Sequence, residues 1–284
     1  DFGVAELDAH IFDGRLGEHP AACVINQDDE WGRKLVEELR ASGKKVVTYS
    51  QTNSGCDLYA REIDISLIQG TKFLLKTPAG EIEITSPLVG RPHVYNMLAA
   101  SAAAAELGYS LESIRSGLAN CAGAPGRFER VPGAGDLCVV VDYAHTDDAL
   151  LNTLQTARAL AKGRIITVFG AGGDRDRSKR APMGQIAGQM SDLSIITSDN
   201  PRTEDPLKII DEIEKGIMPT GSEYLKISDR REAIYKAILS ARPGDVVIIA
   251  GKGHENYQIV GHEKFHFDDR EVASEALAVR NEDQ

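Results

Sequence analysis

The sequence predicts an α/β protein whose second half is a doubly wound, mostly parallel sheet, and three observations carry that prediction. Downstream of Arg127, short apolar runs alternate with longer amphipathic segments, the pattern of strand, crossover helix, strand. The short loops after those runs carry Gly, Asp, Asn and His, so each strand ends on chemistry rather than on a generic loop. Upstream, the same alternation begins and then gives way between Ile63 and Thr85 to a period of two around Pro78-Ala79-Gly80, which reads as an antiparallel hairpin.

Taken in order, residues 21–26 read as a strand, Glu30 to Ala41 as a helix and Lys45 to Tyr49 as a second strand. The hairpin region follows, and Pro92 then opens an alanine-rich helix to about Leu107. Gly117 to Arg127 is rich in glycine and alanine and reads as a connection, which divides the chain into residues 1–126 and 127–284. In the second part, strands are expected at Leu137 to Val141, Arg164 to Phe169, Leu193 to Thr197 and Val246 to Ala250. Helices are expected from Asp147, Ala181 and Pro206, over Arg230 to Ala241, and from about Arg270 to the end.

A chain of 284 residues suffices for two domains, and 42% hydrophobic with 26% charged residues is ordinary globular composition. A net charge of −11 argues against nucleic acid or an anionic membrane as a partner. Cys23, Cys56, Cys121 and Cys138 are widely spaced without a CxxC pair, the pattern of buried thiols in a reducing compartment, so the cytoplasm is the expected location. No apolar run approaches the roughly 20 residues that span a bilayer, and no membrane insertion is expected. The chain opens on Asp1-Phe2-Gly3 without methionine and reads as a fragment.

The turn Asp199-Asn200-Pro201-Arg202 lies between an apolar run and a helix that Asp205-Pro206 should cap. It therefore sits at the carboxyl end of a strand, where open α/β sheets bind ligands. A guanidinium there can grip a carboxylate in two-pronged fashion while Asp199 and Asn200 take an ammonium or amide. A plain proline turn with a surface arginine is the competing reading. Gly170-Ala171-Gly172-Gly173 could expose backbone N–H groups to an anion, with Arg175, Arg177, Lys179 and Arg180 adding positive charge; tight packing is the other use of such glycines. Gly251-Lys252-Gly253-His254-Glu255 repeats the arrangement, with Glu255 able to receive an ammonium group. Asp142-Tyr143-Ala144-His145-Thr146 puts a carboxylate at a strand end, to orient a ribose hydroxyl, hold a metal-bound water or cap a helix. Patterns HExxH and GxSxG, zinc-spaced Cys/His sets and the phosphate loop GxxxxGK followed by Ser or Thr do not occur.

These four motifs, in the order 142–146, 170–176, 199–202 and 251–258 along the chain, resemble the Mur ligase family. The resemblance runs across nearly all of residues 20–270. It implies a partial central ATPase domain followed by a Rossmann-like C-terminal domain. It also implies an ATP- and Mg2+-dependent reaction in which a carboxylate becomes an acyl phosphate that an amine attacks. It places the added amino acid on Arg175, Asp199, Asn200, Pro201, Arg202, Gly251 and Glu255, and the adenine and ribose of ATP near Asn96, Arg127 and Asp142. The Asp-Asn-Pro-Arg form of the turn resembles members that add meso-diaminopimelate to a UDP-N-acetylmuramoyl dipeptide. The physical reason is that diaminopimelate has a carboxylate at its far end and lysine does not.

Three departures qualify the resemblance. The phosphate loop is absent, the region Leu7 to Phe12 lacks the family's magnesium-assisting lysine, and Asp147 replaces a usual proline. No catalytic residue and no protein metal ligand is assigned, and the chain alone is expected not to turn over. A noncatalytic amino-acid-binding or interaction protein derived from such a ligase is the alternative; a folylpolyglutamate synthetase would share the fold without explaining the turn at 199–202.

Overall fold

A computed structural model describes residues 22–282, and the region Leu7 to Phe12 lies outside them. The chain divides into two compact units between Ala122 and Gly123.

In the first unit, β1 (Ala22–Asn26), β2 (Lys45–Ser50), β3 (Leu58–Ser66), β4 (Gly70–Thr77) and β5 (Gly80–Ser86) form a five-stranded sheet in sequence order. The first three strands run parallel and the last two pairings are antiparallel, as the change of period requires. Helix α1 (Glu30–Ala41) starts where Asp29 accepts from the Gly32 amide at 3.0 Å. Helix α2 (Arg91–Glu106) buries Val94, Met97, Leu98 and Ala102 against Phe73, Leu75 and Ile84 of the sheet. A helix the sequence reading did not assign, α3 (Leu111–Ala119), runs into the start of the expected connection at Gly117; it is capped by Ser110 and buries Ile114. Its apolar residues Leu111, Ile114 and Leu118 have helical spacing, a signal that the nearby glycine and alanine content obscured.

The second unit is built on a six-stranded sheet of order β10-β9-β8-β11-β7-β6. Its strands are β6 (Glu129–Arg130), β7 (Cys138–Asp142), β8 (Ile165–Phe169), β9 (Leu193–Ile196), β10 (Tyr224–Lys226) and β11 (Val246–Ala250). All are parallel except β6. Strands β7, β8 and β11 are buried along their whole length, which explains why they read as unbroken apolar runs rather than alternating ones. Helices α7 (Arg230–Ser240) and α8 (Asp269–Glu282) bury Ile234, Ile238, Val272 and Leu277 against Val139, Val141, Val168 and Ile249. The alternate strand residues face the other way, where α4 (Asp147–Leu160), α5 (Arg180–Met190) and α6 (Pro206–Ile217) lie. A small hairpin, β12 (Tyr257–Val260) with β13 (Glu263–His266), follows the last core strand. The sequence reading had no β6, β10 or hairpin, because strands of two to four residues are too short to establish a period.

Cys23, Cys56 and Cys138 are buried free thiols as expected, whereas Cys121 is exposed. Among the described residues no helix is long and apolar enough to cross a membrane.

Candidate functional site

Because β7, β8, β9 and β11 are parallel, the segments beginning at Asp142, Gly170, Asp199 and Gly251 leave the same edge of the sheet. Their side chains form one network within the second unit.

The turn after β9 is held from several sides. Arg202 has a left-handed backbone, φ 50°. Its amide donates to the Ile259 carbonyl at 3.1 Å, and its own carbonyl accepts from Gly261 at 2.7 Å, so the turn is bridged to the β12–β13 hairpin. The Arg202 guanidinium donates through Nη1 to the Gly173 carbonyl at 2.8 Å. Asn200 is 3% exposed, and its amide orientation is dictated by its neighbours. Oδ1 accepts from the Ile259 amide at 2.9 Å and lies 3.5 Å from Lys252 Nζ, so Nδ2 must face Glu255, to whose Oε2 it donates at 2.8 Å. Asp199 accepts the Asn200 amide at 2.6 Å through Oδ1. Its Oδ2 occupies the space beside Gly251, where a Cβ would come within 2.6 Å.

The glycines after β8 serve this approach. A Cβ on Gly170 would lie 2.2 Å from the Thr197 carbonyl oxygen, and one on Gly173 would lie 1.9 Å from that of Pro201. The Gly173 amide is already donated to the Asn200 carbonyl at 2.9 Å. Of the two uses left open for these glycines, close packing of backbone on backbone is the one the geometry displays.

The basic cluster at 175–180 differs from the expectation that it awaits an anion. Arg180, 1% exposed, pairs with Glu204 at 2.9 Å and Glu212 at 2.8 Å and donates to the Gly172 carbonyl at 3.1 Å. Arg177 also reaches Glu204, at 2.8 Å. The hydrogen bonds from Arg180 are the main reason the Glu204 carboxyl is pulled down to about 2. Lys179 donates to the His145 carbonyl at 2.6 Å, tying the segments after β7 and β8, and burial lowers its pKa. The anions are thus largely the protein's own carboxylates. Arg175 alone in the cluster makes no hydrogen bond or ion pair among the described residues, and it is exposed. Its Cγ would lie 3.7 Å from a Cβ on Gly172, and the Arg202 guanidinium would lie 3.0 Å from the same point.

Two buried cations at the site were not assigned a role from sequence. Lys252 is fully buried, 3.8 Å from Glu255 Oε2 and in contact with the Tyr257 carbonyl; loss of hydration pushes its pKa down. Arg230 is fully buried with Asp269. Lys252 was legible only as part of a glycine loop, and Arg230 had the ordinary look of a helix surface residue.

The three residues that the resemblance associates with ATP are spread over both units. Asn96 is exposed on α2 of the first unit, next to Tyr95, whose hydroxyl donates to Asp28 at 2.9 Å. In the second unit Arg127 is exposed and stands over the Tyr143 ring at 4.9 Å, and Tyr143 in turn has His145 and His254 beside it at 4.5 and 5.0 Å. Asp142 is 9% exposed and accepts from the amides of Phe128 at 2.7 Å and Ala144 at 3.0 Å and from Thr153 Oγ1 at 2.9 Å. Three of its roughly four acceptor positions are filled by the chain itself. Among the described residues no group of three or more His, Cys, Asp or Glu side chains could hold a metal ion. At the start of α4 it is Thr146 that caps, accepting from Ala149 at 3.2 Å.

Fold and site together define a two-unit α/β chain whose Rossmann-like second unit gathers carboxylate, amide and guanidinium groups at its strand ends. The chain belongs to the Mur ligase family: residues 4–104 match the Mur ligase middle domain and residues 126–253 the Mur ligase glutamate ligase domain. It is 50% identical over 259 residues to the UDP-N-acetylmuramoyl-L-alanyl-D-glutamate--2,6-diaminopimelate ligase of Gloeobacter violaceus, covering 91% of this chain and 52% of that protein. The protein of the same name from Synechocystis sp. is 49% identical over 260 residues, covering 91% and 51%. A solved structure of a ligase of that name superposes with a TM-score of 0.71 at 39% identity, covering 92% of this chain and 53% of that one. The chain thus spans about half the length of the curated relatives it matches.

Proposed function

We propose that this chain carries the middle and C-terminal parts of a ligase that joins meso-diaminopimelate to UDP-N-acetylmuramoyl-L-alanyl-D-glutamate in peptidoglycan synthesis. The observation that carries the reading is the Arg202 turn, locked to the 251–260 segment by Asn200, Glu255 and Ile259.

In this reading the far end of diaminopimelate, itself an amino acid, is the end that is gripped. Arg202 and Arg175 hold its carboxylate, and Glu255 takes its ammonium, with Asn200 fixing where the Glu255 carboxylate points. Asp199, Pro201 and Gly251 shape the turn and bring the two segments close. The amine at the other end of the ligand is left free to attack, and holding it near the activated carboxylate supplies the orientation such a reaction needs. Lysine lacks the far carboxylate and would leave the two guanidinium groups without an anionic partner.

ATP, when bound, supplies the phosphoryl group that activates the substrate carboxylate, and Mg2+ offsets its charge. The residues present fit the nucleotide in part. Arg127 is exposed on the second unit, where Asp142 has one acceptor position left for a ribose hydroxyl while holding the Phe128 turn in place, and Asn96 is exposed on the first unit. With no phosphate-loop pattern in the sequence, phosphate release by this chain alone is expected to stay at background even with all substrates present.

The test is thermal unfolding with and without meso-diaminopimelate. A ligand present at about 100 times its dissociation constant stabilises by roughly 2.7 kcal/mol, a readily measured rise in Tm. An unchanged Tm at millimolar ligand would contradict the proposal.

A further inference from the structure

Arg230 is the first residue of α7, and its guanidinium is fully buried. Nε and Nη2 donate to the two Asp269 oxygens at 2.8 and 2.7 Å. Nη2 also donates to the Ala250 carbonyl at 3.0 Å, and Nη1 reaches the Ser198 carbonyl at 3.4 Å. Those two carbonyls belong to the residues immediately before Gly251 and Asp199. Ala250 ends β11 and Ser198 lies two residues beyond the end of β9, and these strands are not neighbours: β8 lies between them. Strands two places apart are separated by roughly 10 Å and share no ladder hydrogen bonds, so nothing in the sheet itself fixes one loop directly against the other. Side-chain bonds such as Asn200 to Glu255 join the loops further along, and at the points where they leave the sheet one rigid, planar fork spans them.

Stability alone does not account for this arrangement. A cation at a helix N-terminus opposes the helix dipole, and a buried ion pair is often no more stabilising than well-packed apolar side chains of similar volume. Asp269 begins α8, where a carboxylate is favoured, so it is a suitable anchor for the fork.

We propose that Arg230, anchored by Asp269, is a positioning residue that sets the distance between the 199–202 turn and the 251–255 loop and thereby the preference for an acceptor amino acid with a carboxylate at its far end. The inference rests on the acceptor reading proposed above. A ligand that must satisfy Arg202 and Glu255 together feels the distance between the two loops; one that engages a single loop does not.

The experiment titrates meso-diaminopimelate and L-lysine into the wild-type chain, Arg230→Lys, and the double variant Arg230→Met with Asp269→Leu, each below its unfolding temperature and checked by circular dichroism. The double variant roughly keeps the volume and removes both charges, so it leaves no uncompensated charge buried, unlike a single change. The expected result is that wild type prefers diaminopimelate at least tenfold and that the folded variants lose most of this preference, with lysine affinity changed less than threefold. A folded variant that keeps the wild-type ratio, or that weakens both ligands equally, overturns the positioning role. Failure of the wild-type chain to bind diaminopimelate would instead sink the acceptor reading itself, and this inference with it.

Discussion

Asn200 Nδ2 donates to Glu255 Oε2 at 2.8 Å, and this bond joins the turn after β9 to the loop after β11. The Ile259 amide holds the other side of the same Asn200 side chain, so the bond has a fixed direction.

Asn200→Asp keeps an oxygen for Ile259 and puts a second carboxylate against Glu255. A donor is lost and like charges meet, so stability should fall by about 1–3 kcal/mol at neutral pH. Urea unfolding of the two proteins measures it. A variant as stable as wild type at pH 7 would mean that the bond does not order the site.

Glu204 gives the acid limb of stability its shape. Its carboxyl is held at about 2 against an ordinary 4.5, chiefly by the Arg180 hydrogen bonds. A depressed carboxyl stabilises the fold above its unfolded value and loses that contribution as pH falls through its folded value. The window is therefore about pH 4.5 down to 2. Allowing for solvent screening, the contribution is on the order of 1–2 kcal/mol. Thermal midpoints across that window should drop more steeply for wild type than for Glu204→Gln, which starts lower at pH 7 and changes little. Parallel curves would contradict this.

Arg202→Gly separates backbone from side chain. The left-handed φ of 50° costs an ordinary residue about 1 kcal/mol that glycine does not bear, and the lost Gly173 contact offsets part of the gain. The variant should unfold within about 1 kcal/mol of wild type and yet lose diaminopimelate binding. Calorimetry of folded variant and ligand checks both halves, and unimpaired binding would remove the guanidinium from the site.

How much of this was legible depended on element length and on whether a residue's role is local. Strands such as Val246–Ala250 and the Asp205 cap of α6 follow from local pattern and were readable as such. The 199–202 turn announced itself because Pro, Asn and Arg sit between a strand and a cap. Its lock to the β12–β13 hairpin was not readable, because that hairpin has four-residue strands and the bonds cross about 60 residues of chain. Arg177 and Arg180 looked like anion ligands because sequence shows charge but not partners, and Glu204 and Glu212 reach them only through the packing of α5 and α6. Arg230 gave no signal at all, since a basic residue opening a helix after Asp229 resembles a solvated one, and only the sheet order shows what it bridges.

The measurement that tests the central claim most directly is isothermal titration of meso-diaminopimelate into the wild-type chain and into Arg202→Ala, with L-lysine as the comparison ligand. Wild type should bind diaminopimelate in preference to lysine, and the variant should bind it roughly 10- to 100-fold more weakly while its response to lysine stays the same. Equal binding of both ligands by wild type, or an unaffected Arg202→Ala, would contradict the account.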